Sequence, residues 1–392
     1  TLSDILVGDV WLCSGQSNME WHLRSSANAA AEIEAANYPE IRLFDVKGHT
    51  VNRTPQPNTT GQWERCVPNT ARSFSAVAYF FGRGLYRETN IPVGLIGTNW
   101  GGTKIEPWIP KVGFENSPPL MNIKKGLTEL DLSTPEGKAR HNVYLADVKR
   151  WSNDAAKKVK AGQHPGSPPS PPSFSSVQGA TTIYNAMVNG IAPFSVRGAI
   201  WYQGESNGRR GHAYREVFPL MIQSWRDAWA QGDFSFYWVQ LADFMNEVPE
   251  PPTEQTWAEL REAQTLTLDK LKNVGEAVII DVGEGRDIHP RNKQIVANRL
   301  VRNALNKDYG MDIPSQSPRY QSMEIKGNKM ILTLGHVGQG LYCFDVRNPV
   351  GFAICGKDQK FVWAHAKLLG KNQVEVWAEG IENPVAARYA WS

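Results

Sequence analysis

Asp9-Val10-Trp11-Leu12-Cys13-Ser14-Gly15-Gln16-Ser17-Asn18-Met19-Glu20-Trp21 decides how the rest of the chain is read. Residues 9–13 are nearly continuous in apolar side chains, the pattern of a strand covered on both faces. The run passes through a glycine to a serine and then to residues that suit a helical turn. Similar runs recur at residues 41–46, 93–98, 198–203, 236–241 and 276–282. Helical stripes lie between them. The clearest uses Tyr214, Val217, Phe218, Met221, Ile222, Trp225 and Trp229, all on one face of a helix. Two shorter stripes use Val77, Phe80, Phe81 and Leu85, and Ile295, Val296, Leu300 and Ala304. Strands alternating with helices predict βαβ units, a parallel sheet and the α/β class.

Two segments break this rhythm. Residues 110–173 carry no strand signal and end in HPGSPPSPPS (164–173), which cannot be helix or central strand. A loop-rich insertion rimming the sheet is expected there. From about residue 318 the pattern changes to short alternating runs punctuated by Gly327-Asn328 and Gly370-Lys371, which predicts a small all-β module.

Composition narrows the function classes. The chain has 392 residues, 41% of them hydrophobic and 21% charged, enough apolar material for a sizeable core. Its 42 lysines and arginines against 39 aspartates and glutamates leave a formal charge of +3, too small and dispersed to point to nucleic acid or an anionic membrane as the main partner. No apolar run is long enough for a membrane span. Cys13, Cys66, Cys343 and Cys355 form no zinc-type spacing, so no metal is expected. Cys343 and Cys355 are read either as a bridge between neighbouring strands or as two separate thiols. The chain begins at Thr1, so it is read as processed or trimmed, with any signal peptide out of sight. Fourteen tryptophans are many for this length. Trp21, Trp100, Trp108 and Trp201 sit beside glycine or polar residues, where they serve as core filling or as walls for a sugar ring.

In an open parallel sheet, ligands bind outside the carboxyl ends of the strands. Ser17 stands there as either a nucleophile or a helix cap. A serine opening a helix has free backbone N–H groups around it, suited to an oxyanion. The stretch is not a GxSxG elbow, because Met19 replaces the second glycine. A base is found in Gly283-Glu284-Gly285-Arg286-Asp287-Ile288-His289-Pro290. Pro290 suits a first helical position, which predicts His289 at a helix N-terminus, where the dipole disfavours imidazolium. Of the eight histidines only His289 combines a strand-end position with a close carboxylate, Asp287. Two further strand ends lead into Gly101-Gly102 and into Gln203-Gly204-Glu205-Ser206-Asn207. The paired glycines permit close backbone approach, and Gln203 has side-chain N–H groups to offer. Each of these reads equally as turn chemistry, but four such junctions at one sheet edge favour a site.

The blocks Gly15-Gln16-Ser17-Asn18-Met19, Trp100-Gly101-Gly102-Thr103, Trp201-Tyr202-Gln203-Gly204-Glu205-Ser206-Asn207 and Asp287-Ile288-His289-Pro290 resemble those of the SGNH hydrolase superfamily, and within it the sialate O-acetylesterases and related carbohydrate acetylesterases. The resemblance runs over nearly the whole chain. It implies a three-layer, flavodoxin-like SGNH hydrolase domain over residues 1–314 and a β-rich module over 315–392. It implies Ser17 as nucleophile and His289 as base. An oxyanion hole would come from the Ser17 N–H, the Gly101 and Gly102 backbone and the Gln203 side chain. Trp21, Trp100, Glu205 and Asn207 would line the substrate pocket. No cofactor is implied, and a secreted or periplasmic location is expected. Many members space Asp and His as DxxH; here the spacing is one residue shorter, which leaves open a Ser-His-Asp triad or a Ser-His dyad. Members often carry a β-rich segment ahead of the first catalytic strand; this chain starts about eight residues before it, so a companion module is expected to be incomplete or lost.

The expected activity is removal of O-acetyl groups from sugars. The substrate is either O-acetylated sialic acid, with Arg72, Arg209 and Arg210 as candidate carboxylate partners, or an acetylated polysaccharide such as xylan. A reading of another class, a non-catalytic carbohydrate-binding protein, has no residue in its favour.

Overall fold

A computed structural model describes residues 3–115, 117–172, 176–252 and 254–392. A seven-stranded sheet forms the centre, in the order β3-β2-β4-β1-β5-β6-β7. Its strands are β1 (Asp9–Gly15), β2 (Tyr38–Asp45), β3 (Trp63–Cys66), β4 (Val93–Asn99), β5 (Gly198–Tyr202), β6 (Ser235–Val239) and β7 (Val274–Ala277). Six are parallel; β3 runs antiparallel on the β2 edge. The class is therefore mixed α/β with a mostly parallel sheet. β7 starts two residues before the expected apolar run and stops at Ala277, because the run continues as buried loop through Ile279.

The nine α-helices are α1 (Ser17–Glu20), α2 (Ala29–Glu34), α3 (Pro68–Ala71), α4 (Ala76–Thr89), α5 (Met121–Leu130), α6 (Pro135–Lys160), α7 (Gly211–Trp229), α8 (Thr256–Lys270) and α9 (Lys293–Lys307), counted among the described residues. Alternate residues of β1 face opposite layers. Leu12 joins a core with Phe218, Trp225 and Leu260 of α7 and α8. Trp11 and Cys13 join a second core with Phe81 of α4 and Leu300 of α9. Both faces of the sheet are thus covered, as the continuous apolar strands require. The stripe expected on α7 is buried along its whole length.

The expected loop-rich insertion at 110–173 is corrected: α5 and α6 fill most of it. Thr134 caps α6 through its Oγ1, which accepts from the Gly137 N–H at 3.0 Å, and Pro135 occupies the first turn. Residues 163–172 have no helix or strand, as the proline-rich composition requires; Ser173, the last residue of that stretch, lies outside the described residues.

The C-terminal region is a separate antiparallel all-β unit. One sheet has the order β12-β13-β9-β8, from β8 (Arg319–Lys326), β9 (Lys329–Gly335), β12 (His365–Leu369) and β13 (Gln373–Trp377). The other has the order β11-β10-β14, from β10 (Phe352–Cys355), β11 (Phe361–Trp363) and β14 (Ala386–Tyr389). Met330, Phe352, Ile354 and Val376 share its core. Arg319 pairs with Asp269 of α8, and the Trp363 indole donates to the Pro249 carbonyl at 3.0 Å, so the unit is fastened to the α8 side of the main sheet. All four cysteines are free thiols, so Cys343 and Cys355 are not bridged. No helix among the described residues is long and apolar enough to cross a membrane.

Trp225 is fully buried, makes edge contact with Trp201 at 5.7 Å and donates its indole N–H to the Trp108 carbonyl at 2.8 Å. Trp225→Ala is expected to cost about 3–5 kcal/mol of stability, read by urea unfolding. A loss under about 1 kcal/mol would mean that this layer does not carry the fold.

Candidate active site

Three strand ends come level at the centre of the sheet. Gly15 pairs with Asn99 of β4 on one side and with Tyr202 of β5 on the other. A Cβ on Gly15 would lie 2.2 Å from the Tyr202 carbonyl oxygen, so only glycine lets the three chains approach so closely. The chain order switches from one side of β1 to the other at this point, the place where open α/β sheets hold their ligands. The Gln16 N–H donates to the Tyr202 carbonyl at 3.0 Å, and its side-chain Oε1 accepts from the Ser206 N–H at 3.2 Å. The next residue, Ser17, opens α1 and is half-buried.

His289 reaches it from a loop 272 positions later: its Nε2 lies 2.8 Å from the Ser17 Oγ. Several bonds hold that loop. The Ala27 N–H donates to the Arg291 carbonyl at 2.8 Å, the Arg291 N–H to Glu284 Oε1 at 2.8 Å, and the Asn18 Nδ2 to the Ile288 carbonyl at 2.9 Å. The imidazole stacks on Trp21, with ring centroids 5.2 Å apart and planes 18° from parallel. α9 begins at Lys293, capped by Asn292, so the expected place of His289 at a helix N-terminus is corrected. Pro290 lies outside the helix.

Asp287 lies on the solvent side. Its Oδ1 accepts the His289 backbone N–H at 2.9 Å and stands 3.5 Å from Nδ1 of the ring. It thus shapes the turn by a short hydrogen bond and faces the ring at longer range. Burial pushes the His289 pKa below its ordinary value, the nearby Lys293 adds to this, and Asp287 opposes it.

The expected oxyanion donors divide. Gln203 is fully buried, and its amide gives both hydrogens to the framework, at 3.2 Å to the Thr103 carbonyl and 2.8 Å to Asn207 Oδ1. Its Oε1 accepts from the Tyr214 hydroxyl at 2.8 Å. The Gly101 N–H donates to Glu20 Oε2 at 2.6 Å. Neither group is free for a ligand in this structure. Gly101 still matters sterically, since a Cβ there would sit 3.0 Å from Glu20 Oε2 and 3.3 Å from Ser17 Cβ. Gly102 is exposed, with φ +72° and open space around it. The Ser17 N–H, in the first turn of α1, has no intrahelical acceptor.

The expected substrate-pocket residues divide too. Trp21 and Trp100 are half-buried at the site, and Trp100 stacks on His49 at 4.8 Å. Trp108 and Trp201 are fully buried core residues, not walls for a sugar. Asn207 is buried, accepting from the Ile105 N–H at 3.0 Å and donating to Glu106 Oε2 at 3.1 Å, and it braces the loop after β4. Arg210 is paired with Glu106 at 2.7 Å. Glu205 Oε1 accepts from Asn18 Nδ2 at 2.5 Å, and its Oε2 is buried without a hydrogen-bond partner among the described residues. Lys293, which carries no signal in the sequence, is fully buried behind the pair and donates to Asn18 Oδ1. Among the described residues no cluster of His, Cys, Asp and Glu could hold a metal. A groove of about 620 Å3 between α7, α8 and β14, lined by His212, Arg215, Glu259 and Trp391, shares no residue with the Ser17–His289 pair.

A hydroxyl bonded to an imidazole at the carboxyl edge of the sheet is the arrangement that activates a serine for attack on an ester or amide carbonyl. A family described as carbohydrate esterase, sialic acid-specific acetylesterase, matches residues 7–161 and 173–291. The chain belongs to this family. Human sialate O-acetylesterase is 27% identical to it over 420 residues, covering 99% of this chain and 71% of its own length. The mouse sialate O-acetylesterase is 28% identical over 421 residues, covering 99% and 73%. A solved carbohydrate acetylesterase from Xanthomonas citri superposes with a TM-score of 0.79 at 32% identity, covering 99% of this chain and 76% of that one. This esterase is therefore a carboxylic ester hydrolase of the carbohydrate acetylesterase kind, which sets aside the reading as a non-catalytic binding protein.

Burial and the Lys293 cation both disfavour imidazolium, so His289 should lose its proton below pH 6.5. NMR titration of the ring is expected to give a midpoint under that value. Asp287→Asn removes the only opposing charge and should lower the midpoint further. An unchanged midpoint in that variant would show that the carboxylate does not act on the ring.

Proposed function

We propose that the esterase removes acetyl groups from O-acetylated sialic acid, with Ser17 as nucleophile and His289 as general base. The observation that carries this reading is the 2.8 Å contact between Ser17 Oγ and His289 Nε2. Ser17 Oγ attacks the acetyl carbonyl carbon while His289 takes the hydroxyl proton. The carbonyl oxygen becomes an oxyanion, held by the N–H groups of Ser17 and Gly102. Each such donor is worth on the order of 3 kcal/mol when well aimed. His289 then gives its proton to the departing sugar oxygen, leaving acetyl on Ser17. Water, deprotonated by His289, attacks the acyl-enzyme and frees acetate and the serine. Asp287 supports the imidazolium formed in both steps, from 3.5 Å and partly in solvent, so its contribution is expected to be modest.

The sugar is argued from kinship. The family description names sialic acid, and the human and mouse relatives are sialate O-acetylesterases. Acetylated polysaccharide is the second reading. It is favoured by the commitment of Arg210 to Glu106, which takes away one of the cations a sialic acid carboxylate would use.

Acetate release from O-acetylated sialic acid, compared with acetylated xylan at equal ester concentration, tests the choice. The sialic acid ester should be preferred in kcat/KM by at least about tenfold, a difference of about 1.4 kcal/mol in transition-state binding. Preference for xylan would transfer the assignment to the second reading. Ser17→Ala should reduce kcat on either ester by about 10^4-fold or more while the protein stays folded. Retained turnover would remove Ser17 from the chemistry.

A further inference from the structure

We propose that Lys293 is a positioning residue: together with Glu205 it locks the side-chain amide of Asn18 in the one orientation that clamps the Ser17 turn to the His289 loop. This rests on the reading of Ser17 and His289 as the reacting pair. Lys293 is the first residue of α9 and is wholly buried, against the general habit of lysine. Its Nζ lies over the faces of Tyr202 and Trp21, at 5.2 Å and 5.7 Å from the ring centroids, and donates to Asn18 Oδ1. Nothing in the mechanism uses it.

An asparagine amide has two ends of the same shape and opposite polarity. With Lys293 fixed at the oxygen end, Nδ2 must point the other way. There it donates to Glu205 Oε1 at 2.5 Å and to the Ile288 carbonyl at 2.9 Å. Turning the amide over would set its NH2 against the lysine and its oxygen against a carboxylate and a carbonyl. The lysine and the carboxylate therefore specify one orientation from both sides. Asn18 directly follows Ser17, and Ile288 directly precedes His289, so the clamp joins the chain beside each reacting group.

The charges also balance. Burial pushes Lys293 down to about 7 against the pull of Glu205, Glu284 and Asp287, which favour its charged form. Burial likewise raises the Glu205 carboxyl, opposed by its hydrogen bonds and by Lys293. Above neutrality an uncharged amine still has N–H groups for Asn18, so the clamp itself survives. The charged groups acting on His289 are Lys293, which disfavours the imidazolium, and Asp287, which favours it.

Lys293→Met keeps the length and apolar stem of the side chain and removes the donor and the charge. Measured on a soluble aryl acetate, kcat is expected to fall about 10^2-fold, the loss typical of a reacting group displaced by about 1 Å, with KM within about twofold. The acid limb of kcat/KM should move to higher pH, because the cation that disfavours imidazolium is gone; a purely structural role would leave that limb in place. A folded Lys293→Met protein with kcat within about threefold of the parent and an unmoved limb would overturn the proposal. Asn18→Asp provides the second variant, since it keeps the shape and the lysine contact and loses the donors to Glu205 and Ile288. The same fall is expected, and full activity would overturn the proposal whether or not Lys293→Met folds. Ser17→Ala run alongside separates the two levels: turnover surviving there defeats the reacting pair itself, whereas its loss beside an active Lys293→Met and an active Asn18→Asp defeats only the clamp.

Discussion

The contact between Ser17 and His289 exists because two distant loops are brought to one edge of one sheet and held there. β1 lies at the centre, so its carboxyl end is fixed by hydrogen bonding to β4 and β5 on both sides. Gly15 is the tightest point of that arrangement, with no room for a Cβ against the Tyr202 carbonyl. Ser17 is thereby placed by a closely constrained backbone. His289 has no such support from secondary structure, since its loop lies between the end of β7 and the start of α9. Its position depends on side chains: Asn18 on the Ile288 carbonyl, Glu284 on the Arg291 N–H, and the Trp21 ring against the imidazole. The asymmetry is physical. A strand-end serine is positioned by the sheet, and a loop histidine is positioned by whatever polar groups can reach it.

The same asymmetry explains what the sequence made legible. Strands buried on both faces write themselves as apolar runs, and five of the six runs overlap the observed strands closely. The strands without a run were lost. β3 buries only Cys66, and β8 is exposed along almost its whole length, so neither has a pattern to find. α6 buries only Gly137 and Ala155, so no stripe marks its 26 residues; the Thr134-Pro135-Glu136 start signal was the one clue available. Ser17 and His289 were legible because a strand-end position and a residue type with few roles coincide. Gln203 and Asn207 lie at the expected edge, and their side-chain hydrogens go to the framework. A polar residue at a strand end reads the same whether its hydrogens face a ligand or the neighbouring loop, and here both residues brace the segment at 103–106.

That bracing bears on how the oxyanion would be held. With Gln203 committed, the stabilising polarity proposed above would come from backbone N–H groups, whose aim depends on the loop after β4. Several bonds stiffen it. The Trp100 N–H donates to the Gly15 carbonyl at 3.0 Å, the Thr103 hydroxyl to the Trp100 carbonyl at 2.8 Å, and the Gln178 amide to the Gly102 carbonyl at 2.7 Å. The Trp108 indole in turn donates to Thr103 Oγ1 at 3.1 Å, which connects this loop to the tryptophan layer around Trp201 and Trp225. Preorganised dipoles stabilise a developing charge only if they do not have to reorient. The buried aromatic layer supplies that stiffness from below.

Glu20 adds a second consequence. Its Oε2 takes the Gly101 N–H, and its Oε1 lies 3.3 Å from Nε2 of His49, which is stacked on Trp100. One carboxylate therefore fixes both the glycine loop and an aromatic wall beside the serine. A negative charge so close to Ser17 would oppose a developing oxyanion if it faced the reacting carbonyl. Giving Oε2 to a backbone N–H turns that charge toward the loop and compensates part of it with a peptide dipole. The arrangement sacrifices one backbone donor to hold the neighbouring Gly102 peptide still, which is favourable only if orientation counts for more in this site than the number of N–H groups around the oxyanion.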